Sequence, residues 1–180
     1  MYFYSMEYVI LVDESDNEVG LMEKMEAHEK GLLHRAFSIF IFNQKGEMLL
    51  QQRAFAKYHS GGLWTNACCS HPRANETTLA AAERRLKEEL GFEAPIHEVF
   101  SFTYKASFEN GLTEHEFDHV FTGRYDGIIN FNPDEVAAVK YMAVEDVRNS
   151  LQTEPALYTA WFHIAFKEMY SWWQQHYTEV

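Results

Sequence analysis

Two glutamates, Glu114 and Glu116, stand one residue apart in a segment whose alternating pattern predicts a strand. Side chains two positions apart in a strand point to the same face, so both carboxylates and Asp118 share a face, with neighbours about 7 Å apart. On an exposed face such a pair is ordinary solvated surface. On a covered face the carboxylates repel each other unless a cation or a proton neutralises them. The pattern therefore leaves three interpretations: a solvated face, a metal site or an acid–base site.

Imidazole side chains that could join these carboxylates occur at His28, His34 and His71. Histidine and carboxylate together form a ligand set suited to Zn²⁺, Mn²⁺ or similar ions. The three histidines do not have the spacing of a zinc motif, so each one alone is more simply explained as a surface or hydrogen-bonded histidine. They become informative only in combination with the acidic strand.

A third candidate is the pair of adjacent cysteines, Cys68 and Cys69. A thiol can act as a nucleophile or as an acid–base group when its surroundings lower its pKa, whereas most free cysteines are small buried residues. A disulfide between sequence neighbours is strained and closes almost no loop. We therefore expect free thiols in a reducing cytoplasm.

The elements that must position these residues are strands joined by hairpins, together with a few helices. Asn110-Gly111 predicts a tight turn between two long strands. Apolar residues recur with the helical period at Leu79, Ala82, Leu86 and Leu90. Strands are predicted over residues 8–12, 37–42, 48–52, 100–108, 112–122 and 139–142, and helices over 77–90, 144–151 and about 156–175. Strands outnumber helices, which predicts an α+β protein with helices packed on a mixed sheet.

The composition excludes several classes of protein. The chain has 180 residues, 47 % of them hydrophobic, which predicts one folded domain over residues 1–180 rather than disorder. Its 27 acidic and 15 basic residues give a net charge of −12, which argues against nucleic acid and against an anionic membrane surface as partners. No apolar run is long enough to span a bilayer, and the first residues do not resemble a signal peptide. We expect a monomer that binds a small molecule.

The most specific motif lies on the helix predicted over residues 77–90 and the loop before it. Residues 70–92 read SHPRANETTLAAAERRLKEELGF, which resembles the Nudix box G-x5-E-x7-R-E-U-x-E-E-x-G-U, where U is a bulky aliphatic residue. The matching positions are Glu76, Arg84, Leu86, Glu88, Glu89 and Gly91. Ser70 stands for the first glycine and Arg85 for a glutamate. Clustered glutamates can hold Mg²⁺ against a diphosphate, so the loss of one weakens the site for hydrolysis.

Other motifs are similar to those of the type I isopentenyl-diphosphate isomerases, a branch of the Nudix superfamily with such a degenerate box. They are T-N-x-x-C-x-H-P at residues 65–72, the Glu114-His115-Glu116 strand, and Glu23-Lys24 followed by His28 and His34-Arg35-Ala36-Phe37. Tyr104 and Trp161 match two aromatic positions of that family. The resemblance covers nearly the whole chain, and it implies a Nudix-like α/β/α sandwich with a mixed β-sheet.

The resemblance implies an isomerase of isoprenoid precursor synthesis that interconverts isopentenyl and dimethylallyl diphosphate through a tertiary carbocation. It implies that Glu116, helped by Tyr104, protonates the alkene, and that Cys69 removes a proton from C2. Trp161 would hold its π face against the cationic carbon.

The resemblance also implies two cation sites. One would hold Zn²⁺, Mn²⁺ or Mg²⁺ with His28, His34, His71, Glu114 and Glu116. The other would hold a Mg²⁺ that bridges Glu89 and the diphosphate, with the carbonyl oxygen of Cys69 nearby. The residues implied to bind the diphosphate itself are Lys24, Arg53, Lys57 and Arg85.

Two other functions compete with this interpretation. A Nudix hydrolase of nucleoside diphosphate derivatives would be expected to keep a glutamate at the position of Arg85, and it gives no role to Cys69. A non-catalytic metal-binding or partner-binding domain would be expected to lack acid–base residues, whereas Cys69, Tyr104 and Glu116 are all present. The isomerase is therefore preferred to both.

Overall fold

Nine strands, four α-helices and one short 3₁₀ helix, Pro155–Leu157, make up the computed structural model, which describes residues 7–57, 59–108 and 110–177. The strands are β1 Tyr8–Val12, β2 Glu18–Glu23, β3 His34–Phe42, β4 Met48–Arg53, β5 Trp64–Thr65, β6 Cys68–Ser70, β7 Ile96–Ser107, β8 Thr113–Arg124 and β9 Val136–Met142. The helices are α1 Lys24–Lys30, α2 Thr78–Leu90, α3 Val144–Thr153 and α4 Ala160–His176. Among the described residues, no helix is both long and apolar enough to cross a membrane.

Strand β3 lies at the centre of a mixed sheet. It pairs in parallel with β8 along its whole length, with His34 opposite Glu116. On its other edge it pairs antiparallel with β6, where Ser38 lies opposite Cys69. Strands β2 and β7 extend the sheet beyond β1 and β8, and β5 and β9 flank β4. The strands that carry Cys69 and Glu116 thus lie on the two sides of β3.

Helices cover both faces of this sheet. Phe37, Ile39 and Ile41 of β3 pack in one core cluster with residues of α2. Phe40 and Phe42 pack in the other with residues of α3 and α4. Because β3 is buried on both faces, its stretch from Ile39 to Phe42 is continuously apolar rather than alternating. The predicted α+β class and the α/β/α layering with a mixed sheet are confirmed.

Four features differ from the sequence prediction. Strands β3, β7 and β9 begin three or four residues before their predicted starts. The pattern of residues does not predict β2, α1, β5 or β6, all of which are short. Leu79, which the periodicity places on the buried face of α2, is 41 % exposed. The last helix begins at Ala160 rather than near residue 156, because Thr159 caps it and the Thr159 backbone N–H donates to the carbonyl of Trp64.

The sequence offers Asn75 or Thr77 as a cap for the start of α2 and Gly91 for its end, and the structure uses Thr77 and Gly91. The Thr77 side chain accepts a hydrogen bond from the backbone N–H of Ala80, and Gly91 ends the helix in a left-handed conformation with φ of 71°. A Cβ atom at Gly91 would lie 2.1 Å from the carbonyl oxygen of Asn130. The position therefore requires glycine both for its backbone conformation and for the close approach.

We expect Gly91→Ala to lower the free energy of unfolding by about 3 kcal/mol or more, since a left-handed conformation costs an L-residue about 1–2 kcal/mol and overpacking adds about 1–3 kcal/mol. Gly46→Ala is the matched control, because Gly46 has φ of 76° but an added Cβ would meet nothing within 4 Å. The control should lose only about 1–2 kcal/mol. Urea unfolding measures both, and equal losses would show that the Asn130 contact has no effect.

Candidate active site

The candidate acid–base and binding residues gather in one cavity beside β3. Residues from β6, β7, β8 and α4 line it, among them Cys69, Tyr104, Glu116 and Trp161. The other predicted residues in its wall are Lys24, His28, Arg53, Lys57, His71, Arg85, Glu89 and Glu114. His34 is the predicted residue outside the wall, fully buried behind it, and its Nε2 lies 3.6 Å from a Glu116 carboxylate oxygen. The structure thus brings all the predicted site residues together.

Four of the five predicted ligands in the His/Glu set converge on one point. His28, His34, His71 and Glu116 each offer one ligand atom, and these atoms all lie within 4.8 Å of one another. They come from α1, the first residue of β3, the loop after β6, and β8. This group could hold a metal ion, and its dispersal along the chain explains why the histidine spacing matches no local motif.

Backbone carbonyls orient two of these histidines. The Nδ1 atom of His28 lies 2.6 Å from the carbonyl oxygen of Lys24, and the Nδ1 atom of His34 lies 2.8 Å from that of Leu32. Carbonyls only accept, so both Nδ1 atoms carry the proton and, in the neutral rings, Nε2 carries the lone pair. The Nε2 atom of His34 is buried and has no hydrogen-bond partner in the described part of the chain. A buried lone pair beside Glu116 fits a divalent cation.

Burial and the histidines set the charges in this cluster. Burial lowers the pKa of His71 to about 4, so its ring is neutral near pH 7, as metal binding requires. Burial alone would raise the pKa of Glu116, but His34 and His71, whose Nε2 atoms face its carboxylate and donate to it when those rings are protonated, outweigh burial and hold that pKa well below its usual value. Burial and the charge of Glu116 raise the pKa of Glu114. The two carboxyl groups therefore differ, and Glu116 is the one that ionises readily.

Tyr104 connects the two glutamates. Its hydroxyl lies 2.7 Å from Oε2 of Glu116 and 3.0 Å from Oε2 of Glu114. Burial and the charges of Glu116 and Glu114 raise its pKa well above the usual value, so it remains a protonated phenol. Glu114 lies outside the four-residue group of possible ligands, and its part in metal binding stays a prediction.

The two cysteines face different surroundings. Both thiols are free, as predicted. The Sγ atom of Cys69 lies 3.0 Å from Oδ1 of Asn66 and 3.4 Å from Oγ of Ser38. Burial and the charge of Asp118 raise the pKa of Cys69, so its thiol keeps its proton near neutral pH. Cys68 is fully buried in the core cluster beneath α2, which leaves Cys69 as the thiol that faces the cavity.

Four cationic side chains converge in the cavity wall of this acidic protein. Three of them form ion pairs: Lys24 with Glu7 at 2.9 Å, Lys57 with Glu135, and Arg85 with Glu88 and Glu89. The fourth, Arg53, places its guanidinium carbon 5.1 Å from the centre of the Trp161 ring. Such a local concentration of charge could attract a diphosphate despite the net charge of −12.

The residues of the box motif have two separate roles in the structure. Arg84 donates to both carboxylate oxygens of Glu76, at 2.7 and 2.9 Å, and so ties the loop before α2 to the helix. Glu89 is buried, and its carboxylate accepts hydrogen bonds from Arg85 and from Gln51, the latter at 2.8 Å. Glu89 is therefore the box glutamate that reaches the cavity, as expected of a ligand for Mg²⁺.

Five further residues line the cavity although sequence reasoning did not identify them: Ser38, Gln51, His59, Ser70 and Glu135. Ser38 and Gln51 are polar residues within largely apolar strands, and this contrast in the sequence could have identified them as site residues. His59 and Glu135 lie in loops, where no periodic pattern marks them.

The fold is that of a Nudix protein. Residues 32–162 match the family model of the NUDIX domain. The chain is similar to a solved protein of Deinococcus radiodurans, with a TM-score of 0.68 and 22 % identity over 82 % of this chain and 90 % of that one. It is also similar to the MutT protein of Methanosarcina mazei Go1, with a TM-score of 0.61 and 18 % identity over 76 % of this chain and 91 % of that one. The predicted Nudix-like fold is confirmed.

Proteins of similar sequence identify the family within the Nudix class to which this chain belongs. The isopentenyl-diphosphate Delta-isomerase of Pectobacterium atrosepticum is 48 % identical over 166 residues, which are 92 % of this chain and 93 % of that protein. The isopentenyl-diphosphate Delta-isomerase of Serratia proteamaculans is 50 % identical over 163 residues, which are 91 % of each. This chain belongs to the isopentenyl-diphosphate Delta-isomerase family.

Proposed function

We propose that this chain interconverts isopentenyl diphosphate and dimethylallyl diphosphate in the synthesis of isoprenoid precursors. The observation that carries the proposal is that Cys69 and Glu116, from strands on the two sides of β3, line one cavity. The same cavity holds cations for a diphosphate and an indole for a carbocation. Membership of the isomerase family supports the assignment.

The reaction needs one group to give a proton and another to remove one. A proton added to the terminal alkene carbon of isopentenyl diphosphate leaves a tertiary cation, and loss of a proton from C2 forms the new double bond. We propose that Glu116, assisted by Tyr104, gives the first proton and that Cys69 takes the second. Without substrate, Cys69 is a protonated thiol and Glu116 is an ionised carboxylate. This is the charge state that starts the reverse reaction, from dimethylallyl diphosphate to isopentenyl diphosphate. In that direction each group takes the opposite role.

Three features of the wall would support the cationic intermediate. The Trp161 side chain is 5 % exposed and lines the cavity, so its ring could stabilise positive charge without forming a bond to it. Lys57 and Arg85 both pair with Glu135 in the cavity wall, where the diphosphate would bind. Burial of the wall residues would limit access of water, which would otherwise capture the cation.

Two cations would complete the site. We propose that the group of His28, His34, His71 and Glu116, with Glu114, holds Zn²⁺, Mn²⁺ or Mg²⁺, and that Glu89 and the Cys69 carbonyl hold a Mg²⁺ bound to the diphosphate. When bound, these ions supply positive charge that polarises the carboxyl group and neutralises the phosphates. We also propose a monomer with residues 1–180 as one domain, working in the cytoplasm, where both cysteines stay reduced.

The test of the proposed function is isotope incorporation. Isopentenyl diphosphate is incubated with the protein and Mg²⁺ in heavy water, and NMR follows deuterium into the allylic product. The proposal expects label in both the product and the recovered substrate, because each direction exchanges a proton with solvent. Release of phosphate from a panel of nucleoside diphosphate derivatives, with no labelled product, would instead support a Nudix hydrolase. Arg85 in place of the box glutamate argues against that alternative.

We expect Arg85→Gln to raise the KM for isopentenyl diphosphate about 10- to 100-fold, since a hydrogen bond to a charged group contributes about 1.5–3 kcal/mol. Arg148→Gln is the matched control, because Arg148 is exposed on α3, outside the cavity wall, where it contacts Glu145 and Tyr170. Its KM and kcat should equal those of the parent in steady-state kinetics. An unchanged KM in Arg85→Gln would remove Arg85 from the diphosphate site.

A further inference from the structure

A chain of buried hydrogen bonds joins Trp161 to Cys69. The indole Nε1 of Trp161 donates to Oγ1 of Thr65 at 3.1 Å. The Thr65 hydroxyl donates to Oδ1 of Asn66 at 2.9 Å, and the Cys69 thiol donates to the same oxygen at 3.0 Å. Thr65 is 2 % exposed and Asn66 is fully buried. Neither residue lies among those that line the cavity, so both act behind its wall.

The amide of Asn66 can take only one orientation. Its Nδ2 atom lies 3.0 Å from the carbonyl oxygen of Ile39 on β3 and 3.0 Å from that of Cys68 on β6. Carbonyl oxygens only accept, so the NH₂ group faces them and Oδ1 faces Thr65 and Cys69. The shared acceptor is thereby fixed to the backbone of two paired strands, and it cannot rotate without breaking two buried hydrogen bonds.

The Thr65 hydroxyl has one proton, and the geometry assigns it. The Trp161 Nε1–H can only donate, so Thr65 accepts from Trp161 and must donate to Asn66. The Thr65 backbone is held in the sheet, where it pairs with Gln51 of β4. Trp161 lies on α4, which packs on the sheet through side chains. The chain of hydrogen bonds therefore ties the indole on the helix to the strand that carries the thiol.

We propose that Thr65 and Asn66 are positioning residues, which together hold the Cys69 thiol and the Trp161 ring in a fixed relation on the cavity wall. The inference rests on the proposed function, in which the thiol removes a proton beside the cationic carbon that the ring stabilises. Reacting groups must be held to within a fraction of an ångström for full rate. A supporting shell of hydrogen bonds supplies that precision without touching the substrate.

The test compares Thr65→Val with Thr65→Ser. Valine keeps the shape of threonine but removes both hydrogen bonds, whereas serine keeps the hydroxyl. We expect Thr65→Val to lower kcat about tenfold or more, equivalent to about 1.4 kcal/mol, with the KM within twofold because Thr65 contacts none of the diphosphate-binding cations. Thr65→Ser should restore most of the rate. If Thr65→Val does not fold, Thr65→Ala removes the same bonds without the added methyl group.

A spectroscopic measurement separates positioning from a loss of fold. The protein is labelled with 5-fluorotryptophan, and the ¹⁹F resonance of residue 161 is assigned by its absence in Trp161→Phe. We expect this resonance to shift in Thr65→Val and to return in Thr65→Ser. Parental kcat in Thr65→Val, or a resonance that does not move, would overturn the proposal.

Failure of the proposed isomerase activity would give a different result from failure of the positioning role. A parent protein that puts no deuterium into the allylic product would refute the isomerase itself. The ¹⁹F spectra would then still decide whether Thr65 holds the indole, and an unmoved resonance would overturn the positioning role independently of activity.

Discussion

Cys69→Ala is expected to lower isomerase turnover by about 10²- to 10⁴-fold, the range typical for loss of a general acid or base. In the proposed mechanism, this thiol carries the proton on the β6 side of the cavity. Its two polar neighbours cannot replace it, because the amide oxygen of Asn66 is an acceptor and the Ser38 hydroxyl donates to Asp118 at 2.7 Å. The KM should change little, since the cations in the wall are untouched. Deuterium incorporation measured by NMR gives the rate.

Cys68→Ala is the matched control for this experiment. It removes the same atoms from the adjacent residue, but Cys68 is fully buried in the core cluster that includes Leu86 and Leu90 of α2. We expect turnover within about twofold of the parent and a loss of stability of about 1 kcal/mol from the small void. If Cys68→Ala lost turnover while Cys69→Ala kept it, the assignment of the two thiols would be wrong.

The parts of the fold that the sequence predicts are those with long or local signals. The apolar run of β3, the Asn110-Gly111 turn and the caps of α2 are such signals, because strand burial, turn conformation and capping depend on neighbouring residues. Strands β5 and β6 have two and three residues and exist through pairing with β4 and β3. Contacts of that kind are set by tertiary structure, which no local pattern reports.

The error at Leu79 concerns the end of α2 rather than its period. At 100° per residue, Leu79 has the same orientation as Leu86 and Leu90, which are buried, but it lies in the first turn of the helix and is 41 % exposed. Periodicity predicts which face of a helix is apolar, but it does not report whether other elements cover the end of that helix.

Strand β8, which carries the acidic residues, shows which parts of the site can be predicted from sequence and which cannot. Period-two geometry correctly places Glu114, Glu116 and Asp118 on one face, and all three are buried. That Glu116 meets His34 depends on the parallel register of β8 against β3. No local sequence pattern specifies that register, so the proposed ligand set follows only from the resemblance to the isomerases and from the structure.

Glu116→Gln is expected to remove both turnover and bound metal. One carboxylate oxygen lies 3.0 Å from Nε2 of His71 and 3.6 Å from Nε2 of His34, and the other accepts from Tyr104 at 2.7 Å. A neutral amide is a weaker ligand and cannot carry the proton. Turnover should fall about 10²- to 10⁴-fold, and metal affinity should fall at least about 10- to 100-fold. Metal analysis after dialysis and the isotope assay measure the two losses separately.

Tyr104→Phe separates the two proposed roles of Glu116, as an acid–base group and as a metal ligand. It leaves all four residues of the His/Glu group in place and removes only the phenol hydrogen bonds to Glu116 and Glu114. We expect full metal content with turnover reduced about 10-fold, since one hydrogen bond to a charged group contributes about 1.5–3 kcal/mol and only part of it is specific to the transition state.

A Glu116→Gln protein that kept its metal but lost turnover would support the acid–base role and refute the ligand role. Parental turnover in that variant would refute the acid–base role, since no other group is proposed to exchange the proton on the β8 side of the cavity.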